Sequence, residues 1–142
     1  TTALTELLTR ARVGGQQTVL HLSAHTAPDP QSESGGRSLV LETAHGEPHV
    51  LNCARLESLL TAGPRLEGLP LVFVSSCWSA GIGELFVESG CLHVISTDKE
   101  VSDTAARAFM RQFYCALCSQ QSVKDAWQSA QQLLKVDANP RL

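Results

Sequence analysis

The 142-residue chain is 43% hydrophobic and 18% charged, which suits one ordinary buried core and excludes a disordered or membrane-spanning composition. Eleven basic residues against fourteen acidic ones leave a net charge of −3 without any Lys/Arg cluster, which argues against a nucleic-acid partner. No run approaches the roughly 18 apolar residues of a bilayer span, and the opening TTALTELLTRAR lacks the basic-then-apolar order of a signal peptide.

Leu4, Leu7, Leu8 and Ala11 recur at helical spacing, so the first element reads as an amphipathic helix ended by Gly14-Gly15. Thr18 to Leu22 reads as a short strand, followed after His25 by a polar loop from Thr26 to Arg37 that contains Pro28, Pro30, Gly35 and Gly36. This loop is expected to be mobile and to wall one side of a cleft. Ser38 to Glu42 and His49 to Leu51 form a predicted hairpin whose turn places Gly46 at an unusual backbone angle. Asn52 is positioned to cap a helix carrying Leu56, Leu59 and Leu60, with Gly63-Pro64 as its stop.

Leu69 to Ser75 is the most hydrophobic run and does not alternate, as expected of a central strand covered on both faces. Ile82, Leu85 and Phe86 mark a short helix closed by Gly90, and Cys91 to Ser96 reads as a second buried strand. Ser102-Asp103 caps a long helix striped by Val101, Ala105, Phe109 and Phe113; Ser122 opens another striped by Val123, Trp127, Ala130 and Leu134. The sum is one three-layer α/β/α domain over residues 1–142 with a mostly parallel sheet.

The five cysteines, Cys53, Cys77, Cys91, Cys115 and Cys118, are odd in number and poorly spaced for a disulfide scaffold, so a reducing interior is expected. In open α/β sheets ligands gather beyond the carboxyl ends of the strands. Two reactive residues fall there: His25 ends TVLHLSAH and Cys77 ends LPLVFVSSC. An imidazole at the neighbouring strand end can take the proton of a thiol, and a His about 50 residues before a Cys is the caspase order. A lone strand-end Cys is otherwise a small buried hydrophobe.

The strings LHLSAH, LVFVSSCWSAG, SGCLHVIS, VSDTAARAFMRQFY and SVKDAWQSAQQLL, in this order and spacing, resemble a CHAT domain, the caspase-like peptidase family often attached to tetratricopeptide repeats. The resemblance runs from the first helix to about Leu134 and includes the SLVLETAHGEPHVLN hairpin. It implies a caspase-like α/β sandwich, a catalytic pair of His25 and Cys77, and an oxyanion site made by the N–H groups of Thr26 and Cys77. It further implies a protein or peptide substrate, tetratricopeptide-repeat regions of the same or another chain as partners, and neither metal nor organic cofactor, while the reducing interior expected from the cysteines implies a cytoplasmic setting. The family usually has Gly after the catalytic His, where this chain has the β-branched Thr26. It also usually has a strand before the first helix, so either the chain, which does not begin with Met, is a fragment, the C-terminal catalytic portion of the domain, or another segment completes the sheet. The competing class is a catalytically inactive pseudo-protease serving as an interaction or scaffold domain.

Other candidates carry two readings each. Asp98 and Glu100, with Asp103, follow the strand after Cys77; they either select a basic residue before the scissile bond, as the resemblance implies for this region, or are loop charges and a helix N-terminal carboxylate. Trp78 either lines the cleft or covers the core. His21 is a supporting residue or a core histidine and is kept out of the pair, His45 and His49 flank a solvated turn, and Cys115-x-x-Cys118 has zinc-like spacing inside a helical pattern with no second pair.

Overall fold

The computed structural model describes residues 2–13, 17–33 and 35–137. Contacts divide the chain into two compact units, Thr1–Glu100 and Val101–Leu142. The predicted stop at Gly14-Gly15 lies outside the described residues.

The first unit begins with helix α1 (Thr2–Val13), which buries Leu4, Leu8 and Ala11 at the anticipated spacing. Strands β1 (Val19–Ser23), β5 (Leu71–Ser75) and β6 (His93–Ile95) form a parallel sheet in the order β1-β5-β6. A second, antiparallel sheet has the order β2-β3-β4, from β2 (His25–Pro28), β3 (Arg37–Glu42) and β4 (Pro48–Leu51). Helices α2 (Cys53–Thr61) and α3 (Ala80–Glu88) complete the unit.

Parallel register sets Leu20 opposite Val72 and His21 opposite Phe73. Alternation therefore sends Leu20, Val72 and Val74 to one face, where they pack with Leu4 and Leu8 of α1, Leu56 and Leu60 of α2, and Ile82 and Phe86 of α3. Leu71 and Phe73, on the opposite face, are buried as well, which accounts for the unbroken apolar run of this central strand. His21 stacks on Phe73 with ring centroids 4.9 Å apart, and burial lowers its pKa.

That depression has a sign. A neutral imidazole is favoured in the folded state, so the unfolded chain binds more protons and stability falls as the pH drops below the ordinary histidine value of about 6.5. Urea unfolding of the parent and of His21→Phe, which keeps the stack and cannot titrate, should show a larger loss in the parent between pH 7.5 and pH 5.5. Equal losses would remove His21 as the source.

Several local predictions are met by their expected causes. Asn52 accepts the Arg55 amide as N-cap of α2, and Gly46 sits at φ +79 in the β3–β4 turn. Arg12 closes the other end of α2, donating to the carbonyls of Leu59, Leu60 and Pro64 at 3.0, 2.8 and 3.1 Å, where a cation also meets the negative end of the helix dipole.

Two expectations change. The segment from Thr26 to Arg37 is not one polar loop: its ends pair as β2 and β3, with Thr26 opposite Leu39 and Pro28 opposite Arg37. Between them Asp29 N–H meets the Gly36 carbonyl at 2.9 Å, and the Asp29 carboxylate accepts the Gln31 amide. The strand predicted over Cys91 to Ser96 is shorter and lies at the edge of the sheet, so His93 is exposed and Val94 and Ile95 are only half-buried, although Cys91 before it is buried.

In the second unit, α4 (Asp103–Cys118) starts at Ser102, whose hydroxyl accepts the Ala105 amide, and α5 (Val123–Asp137) starts at Ser122, which accepts the Asp125 amide. The turn between them is a Schellman closure: Gln121 N–H reaches the Ala116 carbonyl, Gln120 N–H reaches that of Leu117, and Gln120 takes the left-handed φ of 64. The buried face of α5 carries Ala126 and Ala130, while Trp127, expected in the stripe, is 38% exposed. Two small residues one turn apart let a helix approach its neighbour closely; Gln112 of α4 reaches Ser129 of α5 at 2.8 Å.

The mixed α/β architecture, with five helices, a parallel sheet and an antiparallel sheet among the described residues, is consistent with a caspase-like α/β sandwich. No helix among them is long and apolar enough to cross a membrane.

Candidate active site

The site grows from the point where β1 and β5 stop pairing. Their register ends at Ser23 opposite Ser75, and Ala24 N–H still reaches the Ser75 carbonyl at 3.3 Å. Counting two residues onward along each strand leads to His25 and Cys77. His25 does not end β1, as the sequence suggested; the chain breaks at Ala24 and His25 becomes the first residue of β2, exposed and opposite Val40. Cys77 lies half-buried, two residues past β5. Between the two, the Thr26 hydroxyl donates to the Cys77 carbonyl at 2.5 Å.

The chain leaves β5 through a tight turn. Trp78 adopts φ 55, a left-handed conformation uncommon for a bulky residue, and Ser79 then opens α3. Three bonds hold this turn against the segment after β6: Trp78 N–H to the Lys99 carbonyl at 3.1 Å, Ala80 N–H to the Thr97 carbonyl at 3.0 Å, and Thr97 N–H to the buried Ser79 hydroxyl at 3.2 Å. Ser79 thus spends its side chain on the sheet and makes no cap bond to its own helix. Asp98 and Glu100, both exposed, flank Lys99 and so lie on the segment that Trp78 is tied to.

Trp78 is 44% exposed, and the Arg37 guanidinium lies over its ring at 5.6 Å from the centroid. The Arg37 carbonyl in turn accepts the Cys53 thiol at 3.1 Å. At this exposure Trp78 is not a covered core residue. Arg37, Ser79 and the Thr26 hydroxyl escaped sequence reasoning. Ser79 had a signal as a residue before a helix, whereas nothing local marks Arg37, because its partner is about 40 residues away in sequence.

The other thiols differ in setting. Burial pushes Cys91 up to about 11, and burial followed by the nearby Asp29 carboxylate raises Cys53. Cys115 and Cys118 are exposed along α4, and no group of three or more His, Cys, Asp or Glu side chains among the described residues is arranged to hold a metal ion. Beside Cys77, the Ser76 hydroxyl is buried with no hydrogen-bond partner among the described residues, as is that of Ser38.

With this geometry in place, comparison with family models gives a match to the CHAT domain over residues 2–140. The chain belongs to the CHAT domain family. That family is caspase-like and protease-related, which gives this CHAT domain a peptidase or pseudo-protease role in general terms and agrees with the resemblance carried by its motifs. Members of the family are associated with tetratricopeptide-repeat proteins in general. The comparison with curated proteins gives no match.

Proposed function

We propose that this CHAT domain, taken as one domain over residues 1–142, is a cysteine endopeptidase in which Cys77 is the nucleophile and His25 its general base. The observation that carries the reading is the Thr26 hydroxyl bond to the Cys77 carbonyl, which ties the residue after His25 directly to the nucleophile position. His25 takes the thiol proton and the sulfur adds to the peptide carbonyl. The oxyanion then rests on the N–H groups of Thr26 and Cys77. The imidazolium returns its proton to the leaving amine, and water cleaves the acyl-enzyme with His25 again as base. Trp78, Asp98 and Glu100 shape the substrate pocket, and the two carboxylates favour a basic residue before the scissile bond. A protein or peptide is the substrate, with tetratricopeptide-repeat regions as partners in a cytoplasmic setting.

The test is site-selective labelling with iodoacetamide on the folded chain, followed by peptide mapping. Cys77 should react at least tenfold faster than the exposed Cys115 and Cys118, since an adjacent base favours the reactive thiolate. Uniform slow labelling would point to the pseudo-protease scaffold instead. Cys77→Ser should abolish hydrolysis of an unfolded protein substrate while leaving the melting temperature close to the parent value.

A further inference from the structure

The backbone of β2 has a phase that two independent ladders fix. In a parallel ladder the donor pattern repeats every two residues, so the bond from Ala24 N–H to the Ser75 carbonyl makes the Cys77 carbonyl the next acceptor, due to the Thr26 amide. On the other edge, Asp29 N–H bonds to the Gly36 carbonyl within a register that pairs Ala27 with Ser38 and His25 with Val40. Antiparallel pairs alternate between hydrogen-bonded and open, so Ala27 and His25 exchange bonds with β3 while the Thr26 amide points away from it. Pro28 sits in the same outward phase, where a missing N–H costs nothing. Both ladders therefore turn the Thr26 amide toward the nucleophile turn.

We infer that Thr26 is a positioning residue whose hydroxyl, by occupying the Cys77 carbonyl, holds β2 one side-chain length from the end of β5 and keeps the Thr26 amide off that carbonyl as an oxyanion donor. This rests on the peptidase reading of the site and deepens it. A backbone amide would have to bring the two strands to ladder distance to make the same bond. The hydroxyl reaches across a wider gap, and the gap is what an incoming carbonyl oxygen needs. Threonine suits the task because its branched Cβ restricts χ1 and so fixes the hydroxyl. The usual glycine of the family can offer its amide but has no such spacer.

The experiment compares the parent with Thr26→Val, which keeps the shape without the hydroxyl, and Thr26→Ser, which keeps the hydroxyl. One arm measures binding of the peptide aldehyde acetyl-leucyl-leucyl-argininal. Its carbonyl accepts the Cys77 sulfur, the π electrons move to oxygen, and His25 relays the thiol proton to give a hemithioacetal. Affinity for the aldehyde, taken relative to the iodoacetamide rate at Cys77, should fall on the order of 100-fold in Thr26→Val and less than about fivefold in Thr26→Ser. A second arm follows amide hydrogen exchange at position 26, which should be fast in the parent and Thr26→Ser and at least tenfold slower in Thr26→Val as the ladder closes. An aldehyde affinity in Thr26→Val equal to that of the parent, or a position-26 amide already protected in the parent, would overturn the inference. If the parent neither binds the aldehyde nor labels selectively at Cys77, the peptidase reading fails. The exchange arm still decides whether the hydroxyl holds the amide off the ladder.

Discussion

His25→Ala should slow both alkylation of Cys77 and any peptide hydrolysis by about 100-fold at pH 7, the lower end of what a positioned general base contributes. The expectation follows from the proposed pair: each residue lies two positions beyond the last paired residues of β1 and β5, and Thr26, next to His25, binds the Cys77 carbonyl. His21 provides an internal control, because it stacks on Phe73 within the sheet, and His21→Phe should leave the Cys77 rate within about twofold of the parent. Raising the pH should recover much of the rate lost in His25→Ala, since solvent then removes the proton that the imidazole otherwise takes. Cys115 and Cys118 should label at unchanged rates in both proteins. A His25→Ala protein whose Cys77 still reacts within twofold of the parent would show that the histidine is a bystander, and the scaffold reading would take its place.

Most regular elements were legible because they are specified locally. The apolar spacing of Leu4, Leu8 and Ala11, the caps at Asn52, Ser102 and Ser122, and the unbroken run into Ser75 each depend on residues within a turn or two of one another. β2 was missed because HTAP is short, half polar and ends in proline; only its pairing with β3 across the Asp29–Gly36 turn makes it a strand. Edge position had a similar effect on β6, whose sequence resembles a buried strand although only one neighbour pairs with it among the described residues. In α5 the large apolar Trp127 outweighed the small Ala126 in the periodic pattern, yet the alanine faces inward.

The site divides in the same way. The strand that precedes each residue can be read from the sequence, so His25 and Cys77 could be singled out as candidates together, but the break at Ala24 that makes His25 the first residue of β2 could not. Contacts between side chains far apart in sequence cannot. In the sequence Thr26 stands out only as a non-glycine, a departure from the family's usual oxyanion donor. Its hydroxyl bond to Cys77 turns that same departure into a candidate spacer. The Arg37–Trp78 contact likewise joins β3 to the turn after β5, and the left-handed Trp78 is held by bonds to the segment after β6.

The largest stability effect is expected from Gly68→Ala. Gly68 lies in the turn between α2 and β5, where its carbonyl accepts the Thr18 amide just before β1, and a Cβ added there would collide with the Ala11 carbonyl oxygen in the last turn of α1. The obstacle is backbone rather than a flexible side chain, so either α1 moves away from the core or the turn gives up its bond to β1. Ala11, Leu8 and Leu4 bury against Leu20 and Leu60 in one cluster, so displacement of α1 loosens several contacts together. Overpacking of this kind costs about 3 kcal/mol, which in a unit of this size corresponds to a drop in melting temperature on the order of 10–20 °C. Gly81→Ala is the matched control: it lies in the first turn of α3 with nothing within 4 Å of the added methyl, and alanine's better helix propensity should make it neutral or stabilising by up to about 1 kcal/mol. Thermal unfolding of the two variants beside the parent measures both effects. Similar melting temperatures for Gly68→Ala and Gly81→Ala would mean that α1 does not press on the Leu66–Leu69 turn and that the first helix is not fixed to the sheet through it.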